Sequence, residues 1–343
     1  MASMGDHLRI IIDTDPGVDD SMTIFMAIKS PQLEILGLTT IFGNVTTETA
    51  TLNALRLCEF ANRSDIPVAE GCHEPLMGGK PRARIHAHGK DGLGNITLNP
   101  ETSNHVPLVP KSKKIDKTAS QLMVEMVSKH PGEVSILALG PLTNLALAMK
   151  WDSSFARKVK QVVVLGGSFF ALGNVNPAAE SNIIGDPEAA DIVFTSGANI
   201  VIVGINISMQ VKLTDDELDE LRQSKGRYAR VIANMCKFVQ ERTEKSYKFK
   251  GIFLHDPTSF VALVRPELFT YTKGVVRVET QGKCRGLTLM DPGTKEILIC
   301  RWDSESPWTV EVEEGIGKPV VSVASTVEAN EVRDYVINLL AKP

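Results

Sequence analysis

Short, nearly continuous apolar runs alternating with helix-like stretches constrain this chain more than any other feature. Leu8–Ile12 is a compact β-branched run that ends at Asp13. Glu34–Thr40, Glu133–Leu139, Gln161–Leu165 and Asn199–Ile205 follow in the same manner, with Ser21–Lys29 and a helix from about Thr47 to Ala61 between the early ones. Strands without polar alternation must be buried on both faces, which requires a parallel sheet covered by helices on each side. The expected fold class is therefore α/β: an open, mostly parallel, Rossmann-like sheet with helices on both faces. Hairpin-like spacing over Gly274–Thr280, Leu287–Met290 and Ile297–Trp302 adds a small antiparallel element near the C-terminus. Thr214-Asp215-Asp216-Glu217 is a capping box that opens a helix. Val320–Ala324 and a helix over Glu328–Leu340 close what reads as one domain spanning 1–343. In such sheets ligands bind beyond the carboxyl ends of the strands, and that is where chemistry is sought.

Composition excludes several classes of function. A formal charge of −4 argues against a nucleic-acid or anionic-membrane surface, each of which needs a net positive face. The short basic run at Lys111, Lys113 and Lys114 reads as a solvated loop. Five scattered cysteines without C-x-x-C spacing fit neither a disulfide framework nor a zinc site, and suit a reducing compartment. Met1–Arg9 lacks the apolar core of a signal peptide, and no run approaches the roughly 18 apolar residues of a membrane helix. The expectation is a cytoplasmic protein. Cys72–Asp116, rich in Gly, Pro, His and Lys, reads as a long, partly mobile excursion.

Asp13-Thr14-Asp15-Pro16-Gly17-Val18-Asp19-Asp20 directly follows the first strand. Four carboxylates so close together repel unless a positive charge joins them. Pro16-Gly17 turns the chain tightly and folds Asp15 back towards Asp19 and Asp20. The product is a cup of hard oxygens that suits Ca²⁺ or Mg²⁺; no Cys or His stands beside it to favour Zn²⁺. The plainer alternative is helix capping with solvated acids, since Asp favours N-caps and first turns. A D-x-D after a first strand also occurs in Mg²⁺-dependent phosphatases of the haloacid dehalogenase type, a competing reading in which Asp13 is the nucleophile.

Further signals lie after other apolar runs. Leu254-His255-Asp256-Pro257 sets an imidazole beside a carboxylate that could complete a metal shell, or else caps a helix starting at Pro257. Asn174–Asn182 concentrates Asn174, Asn176, Glu180 and Asn182, donors and acceptors of the kind vicinal sugar hydroxyls need. Gly140-Pro141-Leu142-Thr143-Asn144 follows Leu139, where a freed backbone carbonyl could ligate Ca²⁺. Phe42-Gly43-Asn44 ends another strand. His86 and His88 precede the Gly-rich Gly89–Asn95.

Taken together, D-x-D-P-G-x-D-D at Asp13–Asp20, G-N at Gly43-Asn44, H-G at His88-Gly89, G-x-L-T-N at Gly140–Asn144, G-N…E-x-N at Gly173–Asn182 and H-D at His255-Asp256 resemble the inosine–uridine preferring nucleoside hydrolase family. The resemblance covers nearly the whole chain and leans towards plant-type members. It implies hydrolysis of the N-glycosidic bond of uridine-, inosine- or xanthosine-type ribonucleosides, a role in nucleoside salvage, and a homodimer or homotetramer. It implies that Asp15, Asp20, Asp256 and the Leu139 carbonyl hold Ca²⁺, although the family usually has Thr at the carbonyl position. It places Asp19, Asn44, Asn174, Glu180 and Asn182 on the ribose, makes Asp15 the base for a Ca²⁺-bound water, and sets His255, with His88, on the nucleobase side. Tyr247 and Lys250, shortly before His255, are further candidates for the base pocket, with packing at a helix end the equal alternative for Tyr247.

Overall fold

The computed structural model describes residues 7–81, 83–99, 101–102, 106–292, 297–301, 309–313 and 319–343. Its strands are β1 (Leu8–Thr14), β2 (Leu33–Thr40), β3 (Val68–Glu70), β4 (Val134–Ala138), β5 (Gln161–Leu165), β6 (Ile200–Val203), β7 (Lys212–Thr214), β8 (Gly251–Phe253), β9 (Phe269–Val278), β10 (Thr288–Asp291), β11 (Ile297–Arg301), β12 (Thr309–Glu313) and β13 (Val321–Val327). Nine of them form one sheet in the order β10-β9-β13-β6-β5-β4-β1-β2-β3. The stretch from β3 to β13 is parallel, and β9 and β10 extend it antiparallel at one edge.

The apolar runs have the cause inferred from them. Every residue of β4 is buried. On β1, Ile10 and Ile12 join one hydrophobic core while Ile11 joins the other, as the two-residue period of a strand requires. β2 leaves β1 in one direction and β4 in the other, so the strand order reverses at β1. A crevice opens beyond the carboxyl ends of β1 and β4 at that point, the usual ligand position in such sheets. The acidic turn sits on its floor.

The first helix runs Val18–Lys29, beginning earlier than the expected Ser21. Gly17 takes the cap position in extended backbone, and the Asp20 carboxylate accepts its N–H at 3.0 Å. Capping and site-building thus fall on the same aspartate, because the turn needs an acceptor where the site needs an oxygen. The helix is anchored by Phe25, which stacks on Tyr228 at 4.4 Å and meets Phe60 edge-on at 5.8 Å.

The later segments add detail to the expected architecture. His255 and Asp256 follow β8, which pairs antiparallel with β7 in a separate small sheet and not with the main one. Their helix, His255–Val264, starts two residues before Pro257. In the late segment β9 and β10 join the main sheet, while β11 and β12 pair separately; Trp302 lies outside the described residues. The Cys72–Asp116 excursion is pinned where it matters. The Asp91 carboxylate accepts the N–H groups of Leu93, Asn95 and Thr97 and the Thr97 hydroxyl, and Asn53 Nδ2 donates to the Asp91 carbonyl at 2.8 Å. Hydrogen-bonded this way, the loop holds His88 buried.

Truncating Phe25 removes a fully buried ring from the joint that orients the acidic turn. Phe25→Ala is expected to cost about 3–5 kcal/mol, read as a lowered urea midpoint with an unchanged slope. A loss under about 1 kcal/mol would show that the joint relaxes around the gap.

Candidate active site

The crevice gathers residues from the ends of β1, β2, β4, β5, β6 and β8 and from the Ala229–Tyr247 helix. Val18, Asp19, Asn44, Leu139, Asn174, Glu180, Asn182, His88, His255 and Asp256 all line it, so most residues singled out from the sequence meet in one place. Asp15 and Asp20 are buried beneath them. His88 faces this cleft, whereas His86 is exposed and lines a neighbouring cavity. Tyr247 lines the cleft wall and packs edge-on against Phe253 at 5.2 Å. Lys250 is exposed and off the lining.

The floor is a set of carboxylates under strain from one another. Asp20 Oδ1 accepts from the Thr14 hydroxyl at 2.5 Å, and its Oδ2 accepts from Asn44 Nδ2 at 2.9 Å. Asp15 Oδ2 accepts from the Asn44 N–H at 2.6 Å. A side chain at Gly43 would overlap that oxygen, so the G-N pair keeps the first position bare to bring the second close. Asp13 Oδ1 accepts from Thr39 Oγ1 at 2.7 Å and from Asn144 Nδ2 at 2.9 Å. Asn144, the last residue of G-x-L-T-N, therefore braces the acidic turn from behind.

Each remaining oxygen of these groups is informative. Asp13 Oδ2, Asp15 Oδ1 and Asp19 Oδ1 are buried and have no hydrogen-bond partner. Buried acceptors are seldom left this way. Asp19, Asp20 and Asp256 bring one oxygen each within 4.8 Å of one another, a set that holds Asp19 where the sequence suggested Asp15. Burial, followed by the charge of Asp20, holds the Asp15 carboxyl well above the usual range. Burial pushes Asp13 up to about 7, and Asp256 is raised by burial and by Asp19, Asp20 and Asp15 together. An oxygen-only cluster with orphaned lone pairs fits a hard divalent cation, and these are the residues that could hold one.

The walls carry weaker, directional groups. Asn182 Nδ2 donates to the carbonyls of Leu139, at 2.6 Å, and Leu165, at 3.1 Å, tying together the ends of β4 and β5. One lone pair of the Leu139 carbonyl is thus engaged and one remains. Glu180 caps the Ser181–Gly185 helix by accepting from the N–H groups of Asn182 and Ile183, and accepts from Gly167 N–H at 3.1 Å. Asn174 Oδ1 is buried without a partner. His88 Nδ1 accepts from the Val18 N–H at 3.2 Å, which leaves its proton on Nε2. Ser208 Oγ lies 2.8 Å from His255 Nδ1. Burial, with the positive charge of Arg84, lowers His88 to about 3; burial lowers His255 to about 4 even though Asp19 opposes it.

Ser208, Arg84 and Arg242 were not singled out from the sequence. Arg242 lies on the long helix Ala229–Tyr247, where Val239, Arg242, Thr243 and Tyr247 recur at helical spacing and line the cleft. That stripe was the available signal.

An open parallel sheet whose switch point carries a buried cup of acids, flanked by amides and imidazoles, is a site that could hold a divalent cation beside a small polar ligand. A sequence model of the inosine-uridine preferring nucleoside hydrolases matches residues 10–333. Uridine nucleosidase 1 of Arabidopsis thaliana is 58% identical over 99% of this chain and 95% of its own length. Pyrimidine-specific ribonucleoside hydrolase RihA of Enterobacter sp. is 39% identical over 83% of this chain and 88% of its own. Among solved structures, the plant nucleoside hydrolase PpNRh1 superposes with a TM-score of 0.88 at 45% identity, covering 98% of this chain and 100% of its own. The chain belongs to the inosine–uridine preferring nucleoside hydrolase family and is a ribonucleoside hydrolase, an N-glycosidase. The phosphatase reading of the D-x-D falls with that membership.

Raised carboxyl values make stability depend on pH. The native chain keeps protons on Asp13 and its neighbours to higher pH than the unfolded chain does, so the metal-free protein loses stability as pH climbs from about 4 to about 7. In chelator, the melting temperature is expected to be higher near about pH 5.5 than near about pH 8, with added divalent cation closing the gap. Equal melting temperatures in chelator would contradict a protonated cluster.

Proposed function

We propose that this protein hydrolyses uridine-type ribonucleosides to free base and ribose, with Asp15 taking the proton of the attacking water and Ca²⁺ as the cation. The buried, unpartnered Asp15 Oδ1 at the mouth of β1 carries this reading. Burial and the charge of Asp20 raise the proton affinity of that carboxylate, which suits a base. Asp15, Asp20, Asp256 and the free lone pair of the Leu139 carbonyl would hold Ca²⁺, with Asp19 beside them. When bound, the ion supplies the positive charge the cup lacks and orients the ribose diol.

The chain's own groups account for the remaining steps. Asp19, Asn44, Asn174, Glu180 and Asn182 bind the ribose hydroxyls; the orphaned Asn174 Oδ1 accepts one of them. Water forms its bond to the anomeric carbon as the bond to the base nitrogen breaks, through an oxocarbenium-like state. The surrounding carboxylates stabilise that positive charge. Attack in one step inverts the configuration. His255, neutral and steadied by Ser208, donates a hydrogen bond to the departing base and does not deliver a full proton; His88 presents its Nε2–H from the opposite wall. The similarity to uridine nucleosidase 1 of Arabidopsis thaliana supports uridine as the substrate. The remainder of the reading is a role in nucleoside salvage and catabolism, a cytoplasmic location, a single domain over 1–343 and a homodimer or homotetramer. Four cysteines described without a partner are in keeping with a reducing compartment.

Purified protein with uridine and Ca²⁺ should release uracil and free ribose at a rate independent of phosphate; ribose 1-phosphate would indicate a phosphorylase instead. Asp15→Ala should lower kcat by on the order of 10²–10⁴-fold while leaving the far-ultraviolet spectrum intact. Retention of most of the rate would remove Asp15 as the base. Dialysis against EGTA should abolish turnover and Ca²⁺ should restore it; full activity in chelator would eliminate the cation.

A further inference from the structure

A second cavity, of about 420 Å³, adjoins the nucleoside cleft, and the reaction as derived leaves it without a role. It is far larger than the roughly 30 Å³ share of one liquid water, so it is no single-water void. Arg84, Ala87, Asn174 and Arg242 line both spaces and form the partition between them. Chain neighbours are divided across that partition. Gly43 and Ser181 line the second cavity, while Asn44, Glu180 and Asn182 line the cleft. Ser208, Tyr247, Phe253 and His255 line the cleft alone. The second cavity therefore borders the amides and the carboxylate assigned to the ribose, and not the His255 wall.

Its charge is unlike that of the cleft. Among the described residues its lining holds Arg84, Arg242, the exposed His86 and the Ser181 hydroxyl, and no Asp or Glu. Arg84 is fixed at the partition by its backbone N–H, which donates to the carbonyls of Gly43 and Asn44 at 3.0 and 3.1 Å. Both arginines are partly buried, and among the described residues neither has a carboxylate within ion-pair distance. Cations withdrawn from water without a counter-ion are costly, so the space beside them suits an anion. A carboxylate brings two acceptor oxygens and a single charge. A phosphate monoester brings three oxygens and a charge of about −1.5 to −2. That matches two guanidinium forks.

We propose that the second cavity is a phosphate subsite at the ribose end of the cleft, filled by the 5′-phosphate of a ribonucleoside monophosphate or by free phosphate. The placement of the sugar rests on the nucleoside reading above. With the ribose diol over the acidic cup and the anomeric carbon turned to Asp15, the 5′-carbon is the substituent that remains. Asn174 belongs both to the ribose set and to the partition, so a group carried on the 5′-oxygen passes beside it into the cavity lined by Arg84 and Arg242. Uridine, which ends in a hydroxyl there, leaves that cavity to solvent. A nucleotide therefore competes with uridine for the cleft, whereas free phosphate occupies the second cavity without displacing uridine.

The test has two arms, each run on the wild type, Arg242→Ala and Arg242→Lys. Burial raises the Asp19 and Glu180 carboxyls and Arg84 partly offsets this, so Arg242 is the cleaner position to change. In the first arm, uridine 5′-monophosphate is titrated against uridine hydrolysis in Ca²⁺, with and without inorganic phosphate. Inhibition should be competitive, and phosphate should weaken it without itself slowing uridine turnover. Arg242→Ala should raise the inhibition constant by on the order of 10–100-fold, well beyond any rise in KM for uridine, and Arg242→Lys should recover part of the loss. In the second arm, inorganic phosphate is titrated calorimetrically into Ca²⁺-loaded protein freed of excess ion. The wild type should bind it, and Arg242→Ala should bind it more weakly by on the order of tenfold. Phosphate binding without competition by the nucleotide would assign the cavity to free phosphate alone. No binding of either probe by the wild type, or unchanged affinities in Arg242→Ala, would overturn the proposal while leaving the hydrolase reading intact. A wild type that fails to cleave uridine would overturn that reading instead, and the calorimetric arm would still decide the cavity.

Discussion

Repulsion among carboxylates buried at the end of β1 is the constraint to which the rest of this structure answers. Asp13, Asp15, Asp20 and Asp256 are almost fully out of water, and Asp19 stands at their edge. Hydrogen bonds from Thr14, Thr39, Asn44 and Asn144 satisfy some of their oxygens, and each donor comes from a different stretch of chain. Several residues that look like separate motifs are thus one device. G-N at Gly43-Asn44 and the Asn of G-x-L-T-N hold acids in place, and Asp20 both starts a helix and faces the cup. The few oxygens left without donors are the ones that could hold a cation.

The sheet makes that crowding affordable. Buried parallel strands leave little freedom at β1, β2 and β4, so the carboxylates cannot swing apart to relieve each other. The aromatic joint of Phe25, Tyr228 and Phe60 fixes the helix that follows the turn. Rigidity in the core is converted into proton affinity at the surface of the cleft.

Much of this was legible in the sequence, and the limit has a physical basis. The strands of the parallel sheet were readable because burial on both faces removes polar residues from them. The acidic turn was readable because its members are contiguous and their mutual repulsion is evident without coordinates. His255-Asp256 could be flagged but not assigned to a sheet, since a three-residue strand such as β8 carries no sign of which sheet it joins. The order of loops did not reveal the pairing of Ser208 with His255, because only the fold brings them together. Arg242 was hidden differently: a charged residue on a helix ordinarily faces water, and Lys, Glu and Arg along Ala229–Tyr247 look alike until the helix has a direction.

The separation of β7 and β8 from the main sheet has a consequence for how the cleft is built. The large sheet supplies most of the acids and amides of the cleft, the groups proposed to bind the sugar, while the small sheet and the Ala229–Tyr247 helix supply another part of its lining. A residue on that outer lining can be exchanged without altering a strand of the large sheet, so the two parts of the cleft are separable in construction. Asp256 is the exception, since it belongs to the wall by chain position and to the floor by charge. A cation held by Asp19, Asp20 and Asp256 would rivet the two parts together, so that drift of one against the other would be checked at a single atom.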